Sequence, residues 1–195
     1  IAIGAGSVMG YFGGKTDMFG LRLVEIWANV PFLYMVIILV SVMPGWWGVG
    51  WQVSSLLFIM VLFSWTGMTY YIRAAVYKEK ARDYVSAAKV IGAGPSRIIF
   101  RHLLPNVIST LVTFAPFTIA AAISSITALD FLGYGLPPPT PSWGELLKQA
   151  VGNLKTAPWI VISTVSALVL TLTLVTFVGE AVREAFDPKK FSTYE

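Results

Sequence analysis

The sequence predicts an all-α fold: a polytopic transmembrane helical bundle of about five spans with a helix-turn-helix loop on its cytoplasmic side. Three observations predict it. Of 195 residues, 56% are hydrophobic and 12% charged, with a mean hydropathy of +0.71. A soluble domain carries about 25% charged residues and needs them for its polar skin, so a chain with about half that charge reads as a membrane protein. Apolar runs recur at the length of a bilayer-crossing helix, and the Lys and Arg residues collect in alternate loops.

A spanning helix needs about 20 apolar residues. The first segment, residues 1–12, opens inside an apolar run with no Met and no charged flank. It reads as a span cut at its start rather than as a signal peptide. The second is 31–43 with an amphipathic lead-in from Met18; the others are 53–72, 107–132 and 159–178. Polar stretches near 13–25, 44–52, 73–106 and 133–158 separate them, and a tail follows from Gly179. One set of alternate loops holds Lys15, Arg22, Arg73, Lys78, Lys80, Arg82, Lys89, Arg97, Arg101, Arg183, Lys189 and Lys190. The other holds only Lys148 and Lys155. The positive-inside rule makes the first set cytoplasmic, which explains the net charge of +4 without invoking nucleic acid. Trp46, Trp47 and Trp51 in one external loop, and Trp143 and Trp159 around the other, suit the membrane interface. Cysteine is absent, which excludes disulfides and thiolate metal sites.

The largest cytoplasmic loop contains "DYVSAAKVIGAGPSRIIFRHLLPN", residues 83–106. Tyr84, Val85, Ala88 and Ile91 fall at helical spacing, opposite Arg82, Asp83, Ser86 and Lys89. Gly92 stands where a helix end wants a left-handed residue, and Gly94-Pro95 completes the break. Ser96 is placed to cap a second helix running to Leu104, and Pro105-Asn106 to punctuate entry into the next span. Such a loop either rests its apolar face on lipid headgroups or presents a surface to a partner. Ala87-Ala88 and Gly92, all small, favour close approach of a partner.

In the external loop, Pro137, Pro138, Pro139 and Pro141 form a stiff stretch. Ser142 then has capping-box spacing to Glu145, and Leu146, Leu147, Ala150, Val151 and Leu154 give a short interfacial helix its apolar face. Asp130 lies near the external end of an apolar run. An intramembrane carboxylate is a functional candidate, but Gly133 and Gly135 follow at once, favouring a structural hydrogen bond or cap near the interface. His102, the only histidine, fits loop packing better than a metal site. Ser163, Thr164, Ser166, Thr171, Thr173 and Thr176 suit helix-helix contacts, with a pathway lining as the alternative. No G-x-x-x-x-G-K-[ST] loop and no catalytic constellation occurs. The chain is therefore expected not to be an enzyme, and its energy to come from elsewhere.

The loop resembles the "EAA" loop of ABC importer permeases: Glu-Ala-Ala, three residues, Gly, nine residues, Ile, any residue, Leu-Pro. Here Ala87-Ala88, Gly92, His102 and Leu104-Pro105 stand at those positions, with Ser86 in place of Glu and His102 in place of Ile. The His-x-Leu-Pro-Asn form is similar to the oligopeptide/dipeptide/nickel branch. "GYFGGKTDMFGLRLVEIWANVP" (10–31) resembles that branch's first cytoplasmic turn. "ALDFLGYGLPPPTPSWGELL" (128–147) resembles its last external loop, especially in the microcin C and peptide type, and "GEAVREAFDPKK" (179–190) its C-terminal signature.

The resemblance implies one permease domain over 1–195, with a coupling loop at 78–106 and an external loop at 133–158. It implies a subunit that forms half the pathway of an ATP-driven importer for a peptide-like substrate, multi-pass in a bacterial inner membrane, with a cytoplasmic C-terminus. Implied partners are a second homologous permease, two ATP-binding cassette subunits, an extracytoplasmic binding protein and lipid, with no nucleic acid. ATP and Mg would be held by the ATPase subunits and no cofactor by this chain. Tyr84, Ala87, Ala88 and Ile91 would form the face docking on the ATPase, with Gly92 at the turn and Arg97, Arg101 and His102 at the edge. Ser86, Leu104 and Pro105 complete that motif. Asp130, Gly133, Pro137, Pro138 and Trp143 would meet the binding protein or close the external gate. The alternative is an ion-gradient-driven secondary transporter or channel, for which Asp130 is the only acid well inside an apolar run.

Overall fold

A computed structural model describes residues 1–44, 48–136 and 139–186, apart from the side chains of 109 and 110. Trp46, Trp47, Pro137, Pro138, Lys189 and Lys190 lie outside the described residues. Among those described, the regular elements are all helical: α1 (Ala2–Phe12), α2 (Gly14–Ala28), α3 (Phe32–Val42), α4 (Val49–Lys80), α5 (Asp83–Val90), α6 (Pro95–Arg97), a π-helical stretch (Ile98–Leu103), α7 (Leu104–Phe131), α8 (Trp143–Gly152) and α9 (Pro158–Ala185).

Every apolar run of the sequence is a helix, but they differ in reach. The helices α4, residues 111–131 of α7, and α9 are long and apolar enough to cross a membrane. The bent pair α2 and α3 makes a fourth if it counts as one span. The predicted fifth, at the start of the chain, is an apolar helix of 11 residues. At 1.5 Å per residue it rises about 16 Å, against a hydrocarbon core of about 30 Å. Only 17%, 11% and 6% of the apolar windows of α4, α7 and α9 are buried. Surfaces this apolar and this open require lipid or partner helices over them.

The chain divides into two compact units. The first holds Ile1–Phe32 and Met60–Val112. In it α1 packs against α4 through two glycines four residues apart. A Cβ on Gly6 would lie 2.9 Å from the Thr69 carbonyl oxygen, and one on Gly10 would lie 2.7 Å from that of Arg73. This is small-xxx-small packing, in which bare backbone lets helices approach closely. Gly13 and Gly14, with φ of 66° and 52°, turn the chain from α1 into α2, a left-handed region that glycine enters without steric cost. Asp17 of α2 then pairs with the guanidinium of Arg73 in a two-pronged ion pair. Trp27 stacks on Phe63 and donates its indole N–H to the Leu62 carbonyl at 2.7 Å.

The second unit holds Leu33–Ile59 and Thr113–Glu195. Its buried residues include Val36, Leu56, Ile59, Thr127, Leu129, Asp130, Ala150 and Thr164. Pro116, inside α7, fits the space that Gly179 of α9 leaves without a side chain. The short helix α8 packs along α9.

Candidate functional site

The loop 83–106 is built from its ends inward. Helix α5 stops in a Schellman motif: Gly92 has φ 85°, its N–H donates to Lys89 (2.9 Å), and the Ala93 N–H donates to Ala88 (3.0 Å). The left-handed turn at Gly92 is as the sequence predicted. The second helix begins differently. Its N-cap is Gly94, with Pro95 in the first position and no side-chain cap, so Ser96 does not cap it. Proline suits that place because its fixed φ is helical and its missing N–H would find no partner there anyway.

Nor does this helix stop at Leu104 before a break at Pro105. It widens into π geometry over Ile98–Leu103, where the Leu104 N–H reaches back to the Ile99 carbonyl, and runs on as α7. An α-helical Pro105 would press its ring on the carbonyl four residues earlier. A π turn loosens the ladder at that point, and the Asn106 side-chain amide donates to the His102 carbonyl at 2.7 Å.

One apolar side of the loop is buried within the protein. Val85, Ala88, Ile98, Ile99, Leu103 and Val107 form one cluster with Tyr11 of α1 and Ile72 and Val76 of α4. Val85 and Ala88 are thus turned away from both surfaces the sequence left open to this face, lipid headgroups and a partner. Lys80 and Lys89 flank the Tyr11 ring at 5.6 and 5.9 Å from its centroid, within cation-π range.

Tyr84 is a strut inside the loop. Its hydroxyl donates to Glu79 Oε1 (3.2 Å), accepts from Asn106 Nδ2 (3.2 Å), and lies 3.5 Å from the His102 carbonyl oxygen. Glu79 also holds Arg82 at 3.0 Å. Burial pushes the Tyr84 phenol above its usual range; the bond from Asn106 works against this, and the charge of Glu79 works with it.

The predicted coupling residues therefore divide. Tyr84 and Ala88 face inward, because helical periodicity sets them beside Val85 on the packed side. His102 and Leu104 are half-buried. Ser86, Ala87, Ile91, Gly92, Arg97, Arg101 and Pro105 are exposed, with Val90 and Ile91 at 88% and 85%.

At the other end of α7, a second Schellman motif closes on Gly133 (φ 84°), whose N–H donates to Asp130, while the Tyr134 N–H donates to Leu129. The Asp130 side chain is 5% exposed, and its Oδ1 accepts from the Leu136 backbone N–H, the structural bond expected of it. Ser142 caps α8 by accepting from the Glu145 N–H at 3.1 Å. The reciprocal half of the capping box is not made; Glu145 instead accepts from Gln149. Gly144 lies against Asp130 so tightly that a Cβ there would overlap it. Trp143 is half-buried and lines the same cavity as Asp130. Thr171, Thr173 and Thr176 all donate to carbonyls of their own helix four residues back.

Sequence reasoning missed the Gly6/Gly10 seam, the Asp17–Arg73 pair and the π stretch. The first was legible as spacing; the second joins residues 56 apart and left no local signal.

The described residues form a helical chain with three or four helices long and apolar enough to cross a membrane and a folded polar loop between two of them. The chain belongs to the family of binding-protein-dependent transport system inner membrane components, whose pattern matches residues 2–192. It is 43% identical over 190 residues to the peptidoglycan transport system permease protein YejE of Agrobacterium fabrum, covering 97% of this chain and 48% of that one. It is 44% identical over 187 residues to the inner membrane ABC transporter permease protein YejE of Escherichia coli, covering 95% and 52%. To the oligopeptide transport system permease protein OppC of Haemophilus influenzae it is 35% identical over 185 residues, covering 94% and 57%. The chain thus spans about half the length of the curated relatives it matches.

Proposed function

We propose that this chain is permease machinery of an ATP-driven importer for a peptide-like substrate, with loop 83–106 as the mechanical link to separate ATPase subunits. The observation that carries this reading is the two-sidedness of the loop. One face is packed into α1 and α4, while Ala87, Val90, Ile91 and Gly92 stand in the open. A loop fixed on one side and apolar on the other acts as a rigid knob. Closure of an ATPase dimer around it would move the helices to which it is packed, and alternating access follows as rocking of packed bundles.

In this reading ATP and Mg sit on two partner ATPase subunits, a second homologous permease completes the pathway, and an extracytoplasmic binding protein delivers the substrate. Loop 83–106 and the C-terminus face the cytoplasm, as the distribution of Lys and Arg supports. Relatives named as peptide, oligopeptide and peptidoglycan permeases support the substrate class.

The test is Gly92→Asp in the full-length complex. No side chain crowds Gly92, but φ of 85° disfavours any residue with a Cβ, and the added charge meets the docking face. Membrane insertion should persist while substrate-stimulated ATPase activity is lost. Full retained coupling would sink the assignment of the loop.

A further inference from the structure

Tyr11, in the last turn of α1, is only 8% exposed, yet its hydroxyl makes no hydrogen bond among the described residues. That hydroxyl is not sealed: the enclosed side-chain atoms without a partner are Ser7 Oγ and Asp130 Oδ2. A polar group held by protein on most sides and left unpaired calls for an external partner.

Two cations converge on the same ring. Lys80 ends α4 and Lys89 lies in the last turn of α5, with ammoniums 5.6 and 5.9 Å from the ring centroid. Neither is neutralised. The ion pairs among the described residues all use arginines: Glu25 with Arg22, Asp17 with Arg73 and Glu79 with Arg82. Two ammoniums around one ring repel each other, and an anion shared between them turns that repulsion into a bridge. Lysine offers donors only, so the ends of three helices present a site for an acceptor with negative charge.

The surroundings select which anion. The distribution of Lys and Arg assigns this end to the cytoplasm, where anionic lipids make the membrane surface negative and basic pockets between helices bind headgroups. The apolar run of α4 ends at Arg73, two turns before Lys80. A four-carbon stem lets a lysine ammonium reach back toward the headgroups. Phe12 packs edge-on against Tyr11, with ring centroids 5.1 Å apart, and is 52% exposed. An apolar ring beside the cations suits a lipid, whose glycerol and acyl chains would cover it.

We propose that Lys80, Lys89 and the Tyr11 hydroxyl hold the phosphate of an anionic phospholipid of the cytoplasmic leaflet, tying the ends of α1, α4 and α5 together. Such a lipid braces loop 83–106 against the helices on which it is packed. The site does not depend on what the chain transports.

The experiment uses the full-length permease co-purified with its partner subunits, and follows bound lipid by native mass spectrometry. The probes are phosphatidylglycerol, zwitterionic phosphatidylcholine with the same acyl chains, and inorganic phosphate. Phosphatidylglycerol should be held about tenfold more tightly than phosphatidylcholine, and Lys80→Gln with Lys89→Gln should erase that preference. Tyr11→Phe keeps the ring and should weaken phosphatidylglycerol about threefold. Lys78→Gln with Arg97→Gln removes the same charge from exposed positions and should leave the preference in place. Equal retention of the two lipids by the unmutated complex would overturn the proposal, whether or not the variants fold. So would equal losses in the two double variants, which would reduce the effect to net charge. Inorganic phosphate that displaces phosphatidylglycerol at equal concentration would overturn it too, making a free anion the ligand. A preference seen only after the ATPase subunits are stripped away would give the lysines to an acidic surface of that partner instead. Failure of the ATPase subunits to co-purify would sink the importer reading and leave the lipid result untouched.

Discussion

The Tyr84 hydroxyl joins Glu79 at the end of α4 to Asn106 at the start of α7, so a single oxygen ties both flanks of the loop. Tyr84→Phe leaves the ring packed and removes the bonds, for a loss of about 1 kcal/mol. Thermal unfolding of the purified complex should show it. The pH dependence follows from the raised phenol: the folded state favours the neutral form, so this contribution is full below the ordinary value of 10.0 and fades as pH rises through the folded value. The alkaline limb of the unfolding profile should therefore be shallower in Tyr84→Phe than in the parent. Ser86 stands exposed on the side of α5 away from this cluster. Nothing in the structure explains its presence where the EAA pattern has Glu.

Among the elements, α1 offers an internal comparison. Gly→Ala in a helix interior ordinarily stabilises by about 0.5–1 kcal/mol. At Gly4, where no atom lies within 4 Å of the added methyl, that sign should hold. At Gly10 the methyl would meet the Arg73 carbonyl and the Val76 side chain, and overpacking of this kind costs about 1–3 kcal/mol. Opposite shifts in the unfolding temperature of the two variants would confirm the seam; shifts of the same sign would refute it. The same helices show what a sequence carries and what it hides. Apolar length, the Gly92 turn and the Ser142 cap are local properties, set by residues within a few positions of one another. The inward turn of Tyr84 and Ala88 depends on which face α1 and α4 cover, and α1 meets this loop from more than seventy residues upstream. Hydrophobic periodicity is likewise nearly blind to a single π turn, because the same apolar residues satisfy either ladder.

For the whole molecule, the distribution of Lys and Arg makes a claim about sidedness that chemistry can check directly. Residues 1–195 contain no cysteine, so a single replacement here is the only thiol within this segment. Ser96→Cys and Lys155→Cys both fall at exposed positions, on loops assigned to opposite sides. A membrane-impermeant maleimide should label the second in intact spheroplasts and the first only in inverted vesicles. Labelling of both from one side would overturn the topology, and with it the placement of loop 83–106 against a cytoplasmic motor. The all-helical class was legible because apolar runs of this length fold as helices, whereas the count of spans was not, since five were expected and three or four of the described helices reach that length. The Asp130 cavity was not, because it is assembled from α7, α8, α9 and the turn between the first two.

The π stretch at Ile98–Leu103 also sets a rotational phase. A π turn holds one residue more than the α turn it replaces, and one residue in an α-helix corresponds to about 100° about its axis. Removing a single residue there, even the exposed Phe100, would leave local helicity intact. It would nevertheless swing the base of α7 by more than a quarter turn against the knob formed by α5. The number of residues between Gly94 and Pro105 is thus a timing mark, and an insertion or deletion within it would misalign the loop while sparing Ala87, Val90, Ile91 and Gly92, the exposed residues of the proposed docking face.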